Sequence, residues 1–164
     1  MLAKPKLLLD TTFILPLFGF DVGLADFEEF FLAALERYAI LVNSLSFLEA
    51  KWKALREARR NPEVLEAYSD GLRSIVFSED VTVVPFHDPV VDDLATALIR
   101  YHGDYFDCSI AASALVEANV LLTEDGKIAE LVEVGRELTQ QHRKVHGELE
   151  VLSYGELKAR LLRK

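Results

Sequence analysis

The chain has one cysteine, Cys108, so no intrachain disulfide can form. A reducing compartment, the cytoplasm, is the simplest expectation, and Cys108 reads as a buried small residue. No apolar run reaches the roughly 18 residues a membrane span requires. The opening Met1-Leu2-Ala3-Lys4-Pro5-Lys6 runs straight into a strand-like segment, without a signal-peptide pattern. Basic residues are also scarce: 18 Lys and Arg face 27 Asp and Glu, for a formal net charge of -9. That argues against a protein that coats nucleic acid, since phosphate contact draws on Lys and Arg. It leaves room for an enzyme that gathers carboxylates at one site and keeps a local basic strip beside it. Internal repeats, low-complexity tracts and linkers are missing too. The 164 residues therefore read as one domain, 1–164, with a sizeable core.

What is present is an alternation. Short apolar segments at Lys6–Asp10, Ala39–Asn43, Val81–Pro85, Asn119–Thr123 and Glu150–Leu152 look like buried strands, mostly too continuously apolar to be half-exposed. Helical patterns separate them. Asp26–Tyr38 places Phe27, Phe30, Phe31, Ala34 and Leu35 on one face, and Ser46–Arg60 places Leu48, Trp52 and Leu55 on one face. Pro62–Val76, Pro89–Tyr101, Asp104–Ala118 and Lys127–Arg136 follow, and a last helix opens on the capping-box pattern Ser153-Tyr154-Gly155-Glu156. The long stretch from Glu49 to Val81 divides into two helices at Asn61-Pro62. The expected fold is α/β, three layers, with a mainly parallel sheet of about five strands.

Four acids occupy special places in that scheme. Asp10 ends the first strand, Glu49 lies early in the helix after the second, and Asp125 follows the fourth by two residues. In an open parallel sheet, ligands bind beyond the carboxyl ends of the strands, where these three fall. Asp107 sits in the first turn of a helix that must return to the opposite edge before the fourth strand, so it starts near the same edge, with Asp104 on its face. Clustered oxygen ligands without Cys or His suit a hard cation, Mg²⁺ or Mn²⁺. Around one ion, the carboxylates of Asp10, Asp107 and Asp125 should lie within roughly twice the ~2.1 Å ligand distance of a common point. That is equipment for hydrolysing a phosphate ester by water.

These residues resemble the PIN-domain family. The strand ending in Asp10-Thr11-Thr12, the run Ser44-Leu45-Ser46-Phe47-Leu48-Glu49, the helix start Asp107-Cys108-Ser109-Ile110-Ala111-Ala112 and the strand end Val120-Leu121-Leu122-Thr123-Glu124-Asp125 are similar, in order and spacing, to the four motifs of that family. The resemblance implies a parallel sheet flanked by helices and a Mg²⁺- or Mn²⁺-dependent endoribonuclease. It implies catalytic and metal-binding roles for Asp10, Glu49, Asp107 and Asp125, with Thr12, Asp104 and Thr123 as auxiliaries. Many small members are VapC-like toxins that dimerise and are neutralised by an antitoxin protein. Two stretches exceed a minimal toxin: Asn61–Ser78, and the tail after Gly135 with Gln140-Gln141-His142-Arg143-Lys144.

Plainer readings stand beside these. Asp10 can cap a turn, Asp104 a helix, and Ser46 with Glu49 has the spacing of a capping box. Glu124 reads as solvated. Thr12 could bond backbone or hold a metal-bound water. His87, His102, His142 and His146 show no metal-ligand spacing with cysteine, and His142 with His146 could grip a metal across one helical turn or be polar surface. Lys53, Arg56 and Arg60 recur at helical spacing from Glu49, which suits RNA phosphates, an acidic partner or merely solvent. Phe13, Phe18, Phe20, Phe27, Phe30 and Phe31 crowd a short stretch, as core, as a homodimer surface or as an antitoxin groove. An aspartyl-phosphate phosphatase would need Asp where Thr12 stands. A PIN-like scaffold that binds RNA or protein without cutting would have no need of four site acids.

Overall fold

The computed structural model describes residues 3–139 and 148–162. Strands β1 (Lys6–Leu9), β2 (Ala39–Asn43), β3 (Val81–Val84), β4 (Val120–Leu122) and β5 (Glu150–Leu152) form one sheet in the order β3-β2-β1-β4-β5. Every neighbouring pair is parallel. The chain winds outward from β1 to β3, then crosses back to β4 on the other flank of β1. A crevice therefore opens between the ends of β1 and β4, the switch point where such sheets bind ligands.

Strand residues alternate between two apolar layers. Leu7, Leu9, Ile40, Val42, Val120 and Leu122 pack with α1 (Thr11–Ile14), α2 (Phe27–Arg37), α3 (Ser44–Glu57), α4 (Val64–Val76) and α8 (Tyr154–Leu161). Leu8, Leu41 and Leu121 pack with α5 (Pro89–Leu98), α6 (Tyr105–Glu117) and α7 (Gly126–Thr139). Both faces of the sheet are covered, which is why the strands carry unbroken apolar runs. Within α6 every residue from Cys108 to Val116 is buried, and its alanines let it lie close between α5, α7 and the sheet. Its end is fixed at the starting edge of the strands, where Lys6 pairs with Glu117 at 2.9 Å and donates its backbone N–H to Asn119. Its first turn, with Asp107, accordingly stands near the opposite edge.

Three features differ from what the strand and helix patterns give, the first in a stretch where they name no element. Thr11–Ile14 is helical and runs into a 3-10 turn at Leu15–Phe18, closed by Gly19 at φ 81. Elements of four residues are too short to show a period. Second, α3 starts two residues early, with Asn43 rather than Ser46 as its N-cap, so Ser46 and Glu49 form no capping box. Its buried face is Leu45, Ser46, Ala50 and Ala54, whereas Leu48, Trp52 and Leu55 are 44%, 59% and 42% exposed. The small residues face inward because that side lies against α1, α4 and the sheet. Third, α3 ends at Glu57, which leaves Arg60 in the turn beyond it.

Phe13, Phe18 and Phe30 are fully buried, Phe20 nearly so, and Phe27 and Phe31 pack against the same core. Four of the six phenylalanines are therefore core, and Phe27 and Phe31 are partly buried against it. His142, His146 and the stretch Gln140–Lys144 lie outside the described residues. No described helix is long and apolar enough to cross a membrane.

Candidate active site

Beyond the ends of β1 and β4 lies a cleft of about 560 Å³, lined by Asp10, Thr11, Thr12, Glu49, Lys53, Arg56, Asp107, Glu124 and Asp125 among others. Four separate chain segments deliver these acids, as their places at the strand and helix ends require.

Asp10 is 6% exposed. Its Oδ1 accepts the Thr11 backbone N–H, capping α1, and its Oδ2 accepts the Thr123 hydroxyl at 2.9 Å. Turn-capping and site placement thus coexist in one residue. Burial pushes the Asp10 carboxyl from 3.8 up to about 6, against the pull of Thr123 and Thr11 and with help from the charges on Glu49 and Asp107. Thr123 joins two motifs, because its Oγ1 also accepts the Asp125 N–H at 3.0 Å.

Glu49 accepts the Thr11 hydroxyl, which in turn lies 3.0 Å from the buried Ser46 hydroxyl. Thr11, not Thr12, therefore holds this carboxylate. Thr12 is exposed in the cleft wall. Burial raises the Glu49 pKa, the Thr11 bond opposes it, and Asp107 and Asp104 add to the rise. Asp107 is raised by burial too, held back by the His102 bond, and raised by Asp104 and Asp125. His102 Nε2 lies 2.8 Å from Asp107 Oδ2. Only the fold reveals that pairing, since His102 stands in the loop before α6, outside any motif.

Asp104 is the N-cap of α6, accepting the Phe106 N–H at 2.8 Å. Asp125 accepts the Lys127 N–H at the start of α7, also at 2.8 Å. Glu124 is exposed yet engaged: it accepts the Tyr154 N–H at 2.7 Å and ties this loop to α8. Lys53 lies in the cleft wall with its ammonium 5.2 Å from the Phe20 ring centre, and Arg56 lies exposed beside it. Arg60 does not line the cleft.

The acids share one field but not one point. Among the described residues, no three acidic, histidine or cysteine side chains are drawn tightly enough together to grip an ion as they stand. Each carboxylate is instead held by its own local donor: Thr11 and Thr123 for Asp10, Thr11 for Glu49, His102 for Asp107, Lys127 for Asp125. Like charges spread apart when local donors are available. The donor set, carboxylate and hydroxyl oxygens without sulfur, fits a hard divalent cation.

Comparison with known proteins agrees with this architecture. No curated protein sequence matches the chain. Among solved structures, VapBC2 from Rickettsia felis, crystallised bound to a DNA fragment from their promoter, aligns with a TM-score of 0.54 at 13% identity, covering 89% of this chain and 98% of that one. PAE2754 from Pyrobaculum aerophilum aligns with a TM-score of 0.54 at 17% identity, covering 96% of this chain and 89% of that one. At such identities the likeness is one of fold. The PIN domain family model matches residues 7–134, a span that runs from β1 into α7 and takes in all four acidic motifs, and the chain belongs to the PIN domain family.

Proposed function

We propose that this protein is a metal-dependent endoribonuclease that hydrolyses RNA phosphodiester bonds. The observation that carries it is the convergence of Asp10, Glu49, Asp107 and Asp125, from four chain segments, on one cleft at the switch point of the sheet. Burial raises Asp10, Glu49 and Asp107, neighbouring carboxylates add to the rise, and such a group calls for positive charge between its members. Asp10, Glu49, Asp107 and Asp125 would hold Mg²⁺ or Mn²⁺, which when bound lowers the pKa of water and shields the charge of a phosphodiester. Thr11 and Thr123 aim the carboxylates, and Asp104 adds negative charge from the helix start. His102 keeps one oxygen of Asp107 in place.

The test is cleavage of a labelled RNA with Mn²⁺ or Mg²⁺ against the same reaction in EDTA, together with calorimetric titration of Mn²⁺. Cation-dependent cleavage is expected. Absence of both cleavage and Mn²⁺ binding would leave a non-catalytic scaffold.

Lys53 and Arg56 are the cations on the cleft wall, and among the described residues neither is paired with a carboxylate. They would take the phosphates that flank the scissile one. Replacing both with Ala should raise KM and lower the salt slope of RNA binding by about 1.4, from roughly 0.7 per phosphate on a single strand. kcat should change much less, since the carboxylates remain. Rates measured against RNA concentration at two salt levels check this. Arg60→Ala, outside the cleft, should do little.

An antitoxin protein and a second copy of the chain complete the proposed partners, the former suggested by the VapBC2 fold likeness. Light scattering at micromolar concentration tests the dimer.

A further inference from the structure

Helix α3 exposes two stripes side by side. Glu49, Lys53 and Arg56 line the cleft. Leu48, Trp52 and Leu55 each precede one of them, so their stripe lies about 100° around the helix. A helix that packs on a sheet ordinarily turns its large apolar residues inward. Here Ala50 and Ala54 are fully buried, while Trp52, the chain's one tryptophan, is 59% exposed. Core packing does not account for an indole in that position.

We propose that Trp52 is a stacking platform for an unpaired base of RNA whose phosphates follow Lys53 and Arg56, with Leu48 and Leu55 as its apolar borders. This inference rests on the nuclease reading for its substrate and goes beyond it in assigning the base contact to Trp52. Two observations support that occupant. The stripe adjoins the cationic wall of the cleft, so one strand can lay phosphate on one and a base face on the other. Residues 51–60 carry Lys51, Lys53, Arg56, Arg59 and Arg60 in a chain of net charge -9, a local concentration that suits a polyanion. A duplex offers no free base face to the indole, whereas a single strand does.

Because Trp52 is the single tryptophan, its emission reads the contact directly. The full chain is titrated in EDTA, where a metal-dependent nuclease cannot cut, with a short single-stranded RNA and with the same RNA annealed to its complement. The single strand should quench the emission to saturation and the duplex should leave it nearly unchanged. Trp52→Ala should weaken single-strand binding about tenfold by anisotropy of labelled RNA, the range of one lost base stack, and Trp52→Phe should keep most of it. The side chain is largely outside the core, so both variants should fold. Unaltered emission and unaltered affinity in Trp52→Ala, with Mn²⁺-dependent cleavage intact, would overturn the stacking role and leave the nuclease standing. Quenching without any cleavage would do the reverse. Loss of a dimer in Trp52→Ala during sedimentation, with no quenching by RNA, would overturn it in favour of an interface between copies.

Discussion

Asp10→Asn should abolish metal-dependent RNA cleavage and at the same time make the metal-free protein more stable near neutral pH. The two effects share a cause. Asp10 sits deep in the cleft under the field of Glu49 and Asp107, and its carboxyl is raised from 3.8 to about 6. An acid whose folded pKa lies above its unfolded value stabilises the fold only while protonated. That contribution is complete below about 3.8 and is lost as pH rises through about 6. At pH 7 the ionised group is therefore a burden of about 3 kcal/mol, at 1.36 kcal/mol per unit. Asn removes the charge and keeps the shape, but has one acceptor oxygen for the two donors, Thr11 N–H and Thr123 Oγ1. Losing that bond costs about 1 kcal/mol, so a net gain of about 2 kcal/mol is expected. Thermal melts in EDTA should show it at pH 7 and show it shrinking toward pH 4. Adding Mn²⁺ should raise the melting temperature of the wild type but barely that of the variant. Cleavage should fall by more than the roughly 10–100-fold typical of losing a residue that merely supports a metal ligand. Asp107→Asn should behave alike in cleavage. Full Mn²⁺-dependent activity in either would defeat the proposed role of the carboxylates.

Much of this site could be read from the chain because its acids stand at topological landmarks. An apolar run that ends in Asp10, and another that ends in Thr123-Glu124-Asp125, mark strand ends whatever the details of packing. Parallel pairing then brings those ends to one edge. What stayed illegible depends on distances between elements. Thr11 and Thr12 are adjacent and chemically identical, and only the four-residue helix α1 decides that Thr11 turns toward Glu49. His102 reaches Asp107 because the loop before α6 folds back, which no periodicity encodes. The inward face of α3 is hidden from the sequence for a similar reason. Large apolar residues usually mark the buried side, but a helix held close to its neighbours has room only for Ala50, Ala54 and Ser46 there. The exposed Leu48, Trp52 and Leu55 thus became informative through the failure of an otherwise sound rule.

Asn43→Ala should lower both stability and turnover, and the two losses should be separable. Asn43 is fully buried at the end of β2. Its Oδ1 accepts the Leu45 N–H at 2.8 Å and caps α3, the helix that carries Glu49, Lys53 and Arg56. Its Nδ2 donates across to α6, to Ser113 Oγ at 2.7 Å and Ser109 Oγ at 3.0 Å, beside the turn that carries Asp107. One amide therefore sets the spacing of two helices that supply opposite sides of the cleft. Alanine removes the cap, about 1 kcal/mol, and strands two buried hydroxyls at about 1 kcal/mol or more each. A loss of about 3 kcal/mol should lower the melting temperature by roughly 10 °C for a domain of this size. Asn43→Asp keeps the cap acceptor but loses the donor and buries a charge, so it should be no better. The decisive variant combines Asn43→Ala with Ser109→Ala and Ser113→Ala. Removing both halves of a buried hydrogen-bonded group costs far less than removing one, so stability should partly return. Cleavage should not return with it, because nothing then holds Glu49 and Asp107 at their proper separation. Recovery of kcat in step with stability would show instead that Asn43 serves the fold alone.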